Sequence, residues 1–371
     1  MTDLFSPFEL RGVRLRNRIG VAPMCQYCCA EDGVPTDWHF AHLVSRAVGG
    51  AGLVFTEAAA VTAEGRISPA DLGIWSDAQL PAHRRLASAI AAAGAVPGIQ
   101  LAHAGRKASR RAPWEEGPAL PGWVPVGPSA LAFGDYAEPR AMGEADIAAT
   151  VRAFADGARR AVASGYRVVE LHAAHGYLLH QFLSPLSNRR NDAWGGDLDG
   201  RTRLPLEVVQ AVRAVLPSEA PLAIRVSHTD WVEGGWTTEE TVELSRRMKA
   251  LGVDLVDVSS GGLDPRQRIA LSPGYQVPGA EAVRHGAGVA VAAVGLITEP
   301  EQAQAILSEG KADMVLLARE MLRDPYWPLR AAAALGRTEA LPVPPQYERG
   351  WNTLGRVVRE DAIARPMRAL G

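Results

Sequence analysis

Eight short apolar runs, each followed by a stretch of helical spacing, limit what this chain can fold into. The runs are IGVAP (19–23), LVFTEA (53–58), VPGIQLAH (96–103), RVVELHA (167–173), PLAIRVS (221–227), LVDVSSG (255–261), VAVAAVGLI (289–297) and DMVLLARE (313–320). Each is rich in β-branched residues or bounded by Gly and Pro, which marks a buried strand. Between them, Leu and Ala recur at helical spacing from Asp77 to Ala93, and again from Glu144 to Ser164. Thr237 with Glu240 reads as a helix start stopped at Gly252, and Glu299-Pro300-Glu301 opens another helix that ends at Gly310. Strand–helix alternation repeated eight times predicts a parallel sheet closed as a (β/α)8 TIM barrel, a single domain over residues 1–340. The rival, an open doubly wound sheet, announces itself with a Gly-rich turn after its first strand. Here the first strand is followed by MCQYCCAEDG, without G-x-G-x-x-G.

Two segments exceed what a barrel needs. Gly105 to Gly143 is rich in Pro and Gly, carries Trp114 and Trp123, and leaves the C-terminal end of the third strand. A long loop there is expected to cap the active-site mouth. The other segment is an extension over 341–371, which opens with LPVPPQYERGW. Aromatic and basic residues behind a Pro-rich linker predict docking on another subunit.

Composition narrows the function. Of 371 residues, 47% are hydrophobic and 22% charged, and the formal net charge is −2. That balance belongs to a globular protein with a large core, and it argues against nucleic acid or an acidic membrane as partner. MTDLFSPFEL lacks the basic and apolar regions of a secretory signal, and no apolar stretch reaches membrane-spanning length. Cys25, Cys28 and Cys29 are too few and too crowded for a disulfide framework. A cytoplasmic setting is the expectation. Cys25 and Cys28 form C-x-x-C, but a thioredoxin-like pair should open a helix, and here the helix starts only after Thr36. A zinc site would need a second pair, with His39 and His42 as nearby possible ligands.

Chemistry in a barrel collects at the C-terminal strand ends. Those ends carry Pro23-Met24-Cys25, Glu57-Ala58, Gln100 with His103, His172 with His175, Arg225, Ser259 to Gly262, Gly295, and Ala318-Arg319. Strand parity places Glu170 one layer below His172, where a carboxylate needs a partner. Arg225, on the neighbouring strand, is the expected one. His172 and His175 stand three apart, so they converge only if the chain turns between them, which AAHGY permits. Converging histidines have two functional readings. With His103 they would make a metal site for a hydrolase. Alone, they would grip a carbonyl or other anionic oxygen, with Tyr177 as a general acid. Gly295 and Arg319, after the last two strands, fit a phosphate site, which favours a phosphorylated cofactor over the metal reading.

At this point the chain resembles the old yellow enzyme family of FMN-dependent ene-reductases, in the xenobiotic-reductase and thermophilic-like branch. The resemblance runs in order through NRIGVAPMCQY, EAAAVTAEGRISPADLGIWSD, GIQLAHAGRKA, VVELHAAHGYLLHQFLSPLSNRRNDAWGG, IRVSHTDWVEGG, AVGLIT and LLAREMLRDP. It implies tightly bound, non-covalent FMN reduced by NADPH or NADH, with enones and nitro compounds as substrates. It implies that Pro23, Met24, Cys25 and Ala58 line the flavin ring, with Gln100 on its pyrimidine side. Arg225 would face N1, and Gly295, Ala318 and Arg319 would hold the phosphate. His172 and His175 would bind the carbonyl oxygen, Tyr27 would position the substrate, and Tyr177 would protonate its α-carbon. Arg349 would reach into a neighbour's site, which implies a homodimer or higher assembly. Cys28-Cys29 departs from the family pattern, as does Ala318, where many relatives have Gly.

Overall fold

The computed structural model describes residues 2–351 except 116, 118 and 119. All eight expected strands form. They are β1 (Ile19–Val21), β2 (Leu53–Ala60), β3 (Val96–Ala102), β4 (Val168–Ala173), β5 (Leu222–Ser227), β6 (Leu255–Ser259), β7 (Ala290–Ala293) and β8 (Met314–Leu317). They pair in parallel in chain order, and β8 closes on β1. The regular parts of β7 and β8 are shorter than their apolar runs. Val294 and Gly295, and likewise Ala318 and Arg319, lie beyond them, where the chain leaves the sheet.

The helices follow their local signals. Thr237 and Glu240 make a reciprocal capping box on Thr238–Ala250, which satisfies amide groups that a helix start leaves orphaned. The stretch from Asp77 begins as a single 3-10 turn and becomes α-helix over Leu80–Ala92, with Pro81 in its first turn. The 20-residue helix Glu144–Ala163 buries Ile147, Phe154 and Ala158 against the barrel. Helices at Asp37–Val48, Leu198–Val215, Val277–Ala287, Pro300–Ser308 and Trp327–Ala334 complete the outer ring.

The barrel has two cores. Outside the strands, Val21, Val54, Ile99, Val169, Ile224 and Val256 meet the helices. Inside, Leu53, Phe55, Val168, Leu255, Met314 and Leu316 fill the lower lumen. An N-terminal hairpin, Phe8–Leu10 with Val13–Leu15, adds Leu10, Val13 and Leu15 to that inner core and stoppers the lower end. The upper end is left to polar groups.

The Gly105 to Gly143 segment lies across that upper end. Val126–Gly127 and Arg140–Ala141 pair within it, and Arg106 Nη1 donates to Leu131 O (3.2 Å). Trp123 Nε1 donates to Glu64 O (3.0 Å), while Trp114 is exposed. In the C-terminal extension, Leu341 is buried against the outer core and Glu348–Trp351 form one helical turn. The rest of the extension lies outside the described residues. Among the described residues, no helix is long and apolar enough to cross a membrane.

Candidate active site

The two histidines converge because the chain reverses after β4. His175 takes φ +57° and Gly176 φ +73°, two successive left-handed residues. Gly176 is required twice over, because a Cβ there would stand 2.3 Å from Gly262 O. The reversal is pinned by His180 Nδ1, which accepts from Gly176 N–H (2.9 Å), and by Ser227 Oγ, which accepts from His175 N–H (3.0 Å). The His172 and His175 rings sit 5.1 Å apart, centroid to centroid, and His172 and Tyr177 sit 4.9 Å apart. One short segment thus brings all three side chains together, as the sequence predicts.

Both imidazoles are held neutral. Desolvation is the main cause for each and keeps each pKa well below the usual imidazole value; the positive charges of Arg225 and Lys107 add to it. Ala174 N–H donates to His172 Nδ1 (3.3 Å), so the proton of the neutral His172 ring sits on Nε2. His175 Nε2 lies 2.7 Å from Ser259 Oγ. Desolvation also holds the Tyr177 hydroxyl well above its ordinary pKa, so it stays protonated. Tyr27, at φ +50° in the turn after β1, shares a cavity of about 250 Å³ with Tyr177.

Below the histidines, the charges pair differently from the sequence expectation. His172, Arg225 and Asp257 are aligned in register across β4, β5 and β6. Arg225 Nε contacts Asp257 Oδ2 at 2.5 Å in a buried ion pair. Glu170 is therefore not the carboxylate that Arg225 pairs with. Gln100 Nε2 donates to Glu170 Oε1 (2.8 Å) instead. One guanidinium cannot offset two buried carboxylates. Desolvation and the nearby Asp257 raise the Glu170 pKa well above the usual carboxylate value, so Glu170 is a neutral acid. Asp257 was missed in the sequence; strand parity sets it on the same face as Leu255 and Ser259.

A second cavity, of about 280 Å³, runs from Pro23, His175 and Arg225 to Gly295, Ala318 and Arg319. It joins the strand ends that sequence reasoning linked. Gly295 takes φ +115°, and a Cβ there would press on the Gln276 amide at 2.5 Å. The exposed Arg319 side chain has no hydrogen bond or carboxylate partner among the described residues, whereas Arg323 pairs with Glu320. Gln276, missed in the sequence, is buried. Its Oε1 accepts from Ser260 Oγ (2.7 Å) and its Nε2 donates to Val294 O (2.9 Å). Its only sequence signal is its place before the helix Val277–Ala287.

The remaining candidates fall as follows. Met24 is partly buried against the core, and Ala58 lines a small cavity with Tyr177. Desolvation, with Asp71 and Glu57 nearby, raises the Cys25 pKa well above normal, so it is a thiol. Arg349 is exposed and lines neither mouth cavity. The metal set of His103, His172 and His175 does not form. His103 Nδ1 accepts from Gly105 N–H (3.1 Å), and the three rings are not gathered as ligands. The C-x-x-C neighbourhood instead brings Cys28, His39 and Glu57 within 4.8 Å, with His42 outside the group. The cysteine sulfur lies 3.6 Å from both His39 nitrogens, and Glu57 Oε1 is 2.8 Å from Nε2.

The sequence profile described as the NADH:flavin oxidoreductase / NADH oxidase family matches residues 3–337. The chain belongs to that family. An NADPH dehydrogenase from Geobacillus sp. (strain WCH70) is 49% identical over 352 residues, which cover 94% of this chain and 99% of the relative. The structure of morphinone reductase matches with a TM-score of 0.76 at 28% identity, covering 90% of each chain. The old yellow enzyme homologue from Zymomonas mobilis matches with a TM-score of 0.75 at 27% identity, covering 88% of this chain and 92% of its own. The resemblance to old yellow enzymes therefore holds, and this flavin oxidoreductase uses FMN and NAD(P)H.

The residues fit the cofactor. The cavity of about 280 Å³ in this flavin oxidoreductase has Arg319 at one end, a cation without an anion partner among the described residues, beside Gly295, whose φ of +115° and close approach to Gln276 disfavour any side chain. At the other end stand Pro23 and the Arg225–Asp257 pair. A long molecule with a phosphate at one end and an electron-accepting ring at the other suits that polarity.

Proposed function

We propose that the chain is an ene-reductase acting on the activated C=C bond of α,β-unsaturated carbonyl compounds. The observation that carries this reading is the trio of neutral donors beside the flavin cavity, with the His175 and Tyr177 rings 5.1 Å and 4.9 Å from the ring of His172. Bound FMN supplies the hydride chemistry, taking two electrons from NAD(P)H and passing them to the substrate's β-carbon.

The protein's own groups do the rest. Hydride addition drives negative charge onto the carbonyl oxygen. His172 Nε2–H is a donor for that oxygen, because Nδ1 is already occupied by Ala174 N–H. Ser259 Oγ lies 3.2 Å from Gln276 Oε1, which Ser260 already serves at 2.7 Å, and 2.7 Å from His175 Nε2; with its proton on the shorter contact, to Nε2, the ring keeps Nδ1–H as the second donor. Two fixed neutral donors stabilise the developing oxyanion more than the ground-state ketone. Tyr177 then gives its proton to the α-carbon and is reprotonated from solvent. The substrate gains one hydride and one proton, and NAD(P)H is left oxidised. Arg225 favours negative charge on the reduced ring. In this reading Arg349 contributes to a neighbouring subunit's site in a homodimer or larger assembly.

The test is the visible spectrum of the purified holoprotein under anaerobic NADPH, followed by cyclohexenone. Bleaching by NADPH and recovery with the enone support the reading. A flavin that bleaches and stays bleached after the enone overturns it.

A further inference from the structure

The cavity that holds Tyr27 and Tyr177 carries an excess of positive charge, and two of its cations, Arg110 and Arg111, have no part in the enone chemistry above. Among the described residues, its walls include Lys107, Arg110 and Arg111, against one carboxylate, the exposed Glu115. Lys107 is committed: its Nζ donates to His175 O (2.8 Å) and to Gly262 O. The two arginines are not. Arg110 Cζ lies over the Tyr136 ring, 3.9 Å from its centroid, and no carboxylate pairs with it among the described residues. Arg111 has neither an ion pair nor a side-chain hydrogen bond among them, and its Nε is buried without a partner.

This arrangement has an energetic cost that a folded surface normally avoids. A buried guanidinium N–H without an acceptor gives up hydration without return. Gly117, at φ +132°, closes on it: a Cβ there would lie 2.8 Å from Arg111 Nε. The cation–π contact with Tyr136 holds the Arg110 guanidinium in place beside the cavity. Arg110 and Arg111 belong to the capping segment, while Tyr177 belongs to the turn after β4, so the cavity joins the cations to the proton donor.

We infer that a ligand of this site presents an anionic group, a carboxylate or a phosphate, to Arg110 and Arg111 while its reacting carbon lies by Tyr177. This rests on the placement of Tyr177 in the ene-reductase reading. Two sources share the chemistry. One is an unsaturated carbonyl substrate carrying a carboxylate away from its alkene. The other is the phosphate groups of the reduced nicotinamide dinucleotide.

Rapid-mixing kinetics on the FMN-loaded enzyme separate them. In the oxidative half-reaction, wild type and Arg111→Ala, alone and with Arg110→Ala, are mixed with cyclohexenone and with its ring-carboxylated analogue. In the reductive half-reaction they are mixed with NADPH and with reduced nicotinamide mononucleotide. A substrate carboxylate as the ligand lowers the kcat/KM ratio of carboxylated to neutral enone by about tenfold or more in the variants. A dinucleotide phosphate as the ligand lowers the NADPH ratio over the mononucleotide by a similar factor. Either result supports the inference, and both ratios staying within twofold of wild type overturns it. Bound flavin per chain is measured first. If a variant does not hold flavin, the same ratios are followed in wild type from low to high salt, and their independence of salt overturns the inference. If neither enone reoxidises wild type, the ene-reductase reading falls, and the NADPH ratio alone decides for or against the anion site.

Discussion

Arg225 and Asp257 form a buried ion pair at 2.5 Å, and the neutral carboxyl of Glu170 stands within their field. The three side chains come from β4, β5 and β6 and carry one positive and one negative charge between them. A spare, protonated carboxyl beside a buried ion pair is a reserve. If Asp257 loses its charge, Glu170 can give up its proton and take over as partner of Arg225.

That reserve predicts a non-additive pair of substitutions. Removing one partner of a buried ion pair ordinarily costs about 3–5 kcal/mol. Asp257→Asn should cost less than this, because Glu170 ionises. Asp257→Asn with Glu170→Gln should cost the full amount, since Arg225 is then left alone. Denaturant unfolding of the holoprotein measures both. A double variant no less stable than the sum of the single variants would sink the idea.

Tyr177→Phe isolates the proton donor. General acid catalysis contributes about 10²–10⁴-fold. The variant should reoxidise with cyclohexenone at least a hundredfold more slowly, while reduction by NADPH stays within about threefold of wild type. Rapid-mixing absorbance of the flavin reads both steps. Equal slowing of the two half-reactions would mean that Tyr177 shapes the site without donating the proton.

The barrel was legible because each strand is a short apolar run with Gly or Pro at its edges, and because parallel strands buried on both faces need that composition. The N-terminal hairpin was not. FEL and VRL are three residues each, too short to show alternation, and they become strands by plugging the barrel floor with Leu10, Val13 and Leu15. The His172, His175 and Tyr177 trio was legible because one contiguous segment carries it. The Asp257 partner was not, because a single acidic residue in an apolar run gives no sign of which strand neighbour it meets. Gln276 and the free arginines of the capping segment depend on tertiary approach and leave no local pattern.

Lys107 makes the pH dependence distinctive. Desolvation, with Arg106 adding repulsion, lowers its pKa from 10.5 to about 7. Its ammonium lies 5.6 Å from the centre of the Tyr177 ring, where positive charge favours proton release from the phenol. The sign follows: as pH rises through about 7, Lys107 loses its charge, and enone reduction should slow. His172 and His175 are already neutral, so they add no bend near 6.5. For stability, a cation whose folded pKa lies below its unfolded value contributes a penalty that grows as pH falls from 10.5 and is complete near 7. Lys107→Met should abolish the bend in the pH profile of the oxidative half-reaction. A profile that keeps its bend in the variant would assign the titration to another group.

Gly176 is the position on which the catalytic geometry turns. It combines a left-handed φ of +73° with a 2.3 Å approach of any Cβ to Gly262 O. Gly176→Ala therefore faces strain and a clash with backbone that cannot rotate away. The cost to stability should be on the order of 2–3 kcal/mol, within the range for a residue forced into a sparsely populated conformation. The chain can relieve it only by opening the turn, which moves His175 away from His172 and lifts Tyr177 from the cavity. Phenolic ligands mimic the enolate oxygen that both histidines hold, so their affinity should fall by about tenfold or more. Flavin content should remain near one per chain, because the turn stands apart from the Gly295 and Arg319 end of the flavin cavity. Titration of the holoprotein with a phenol, followed by the charge-transfer band in the visible spectrum, measures the loss. Wild-type phenol affinity in Gly176→Ala would show that the two histidines do not depend on this reversal.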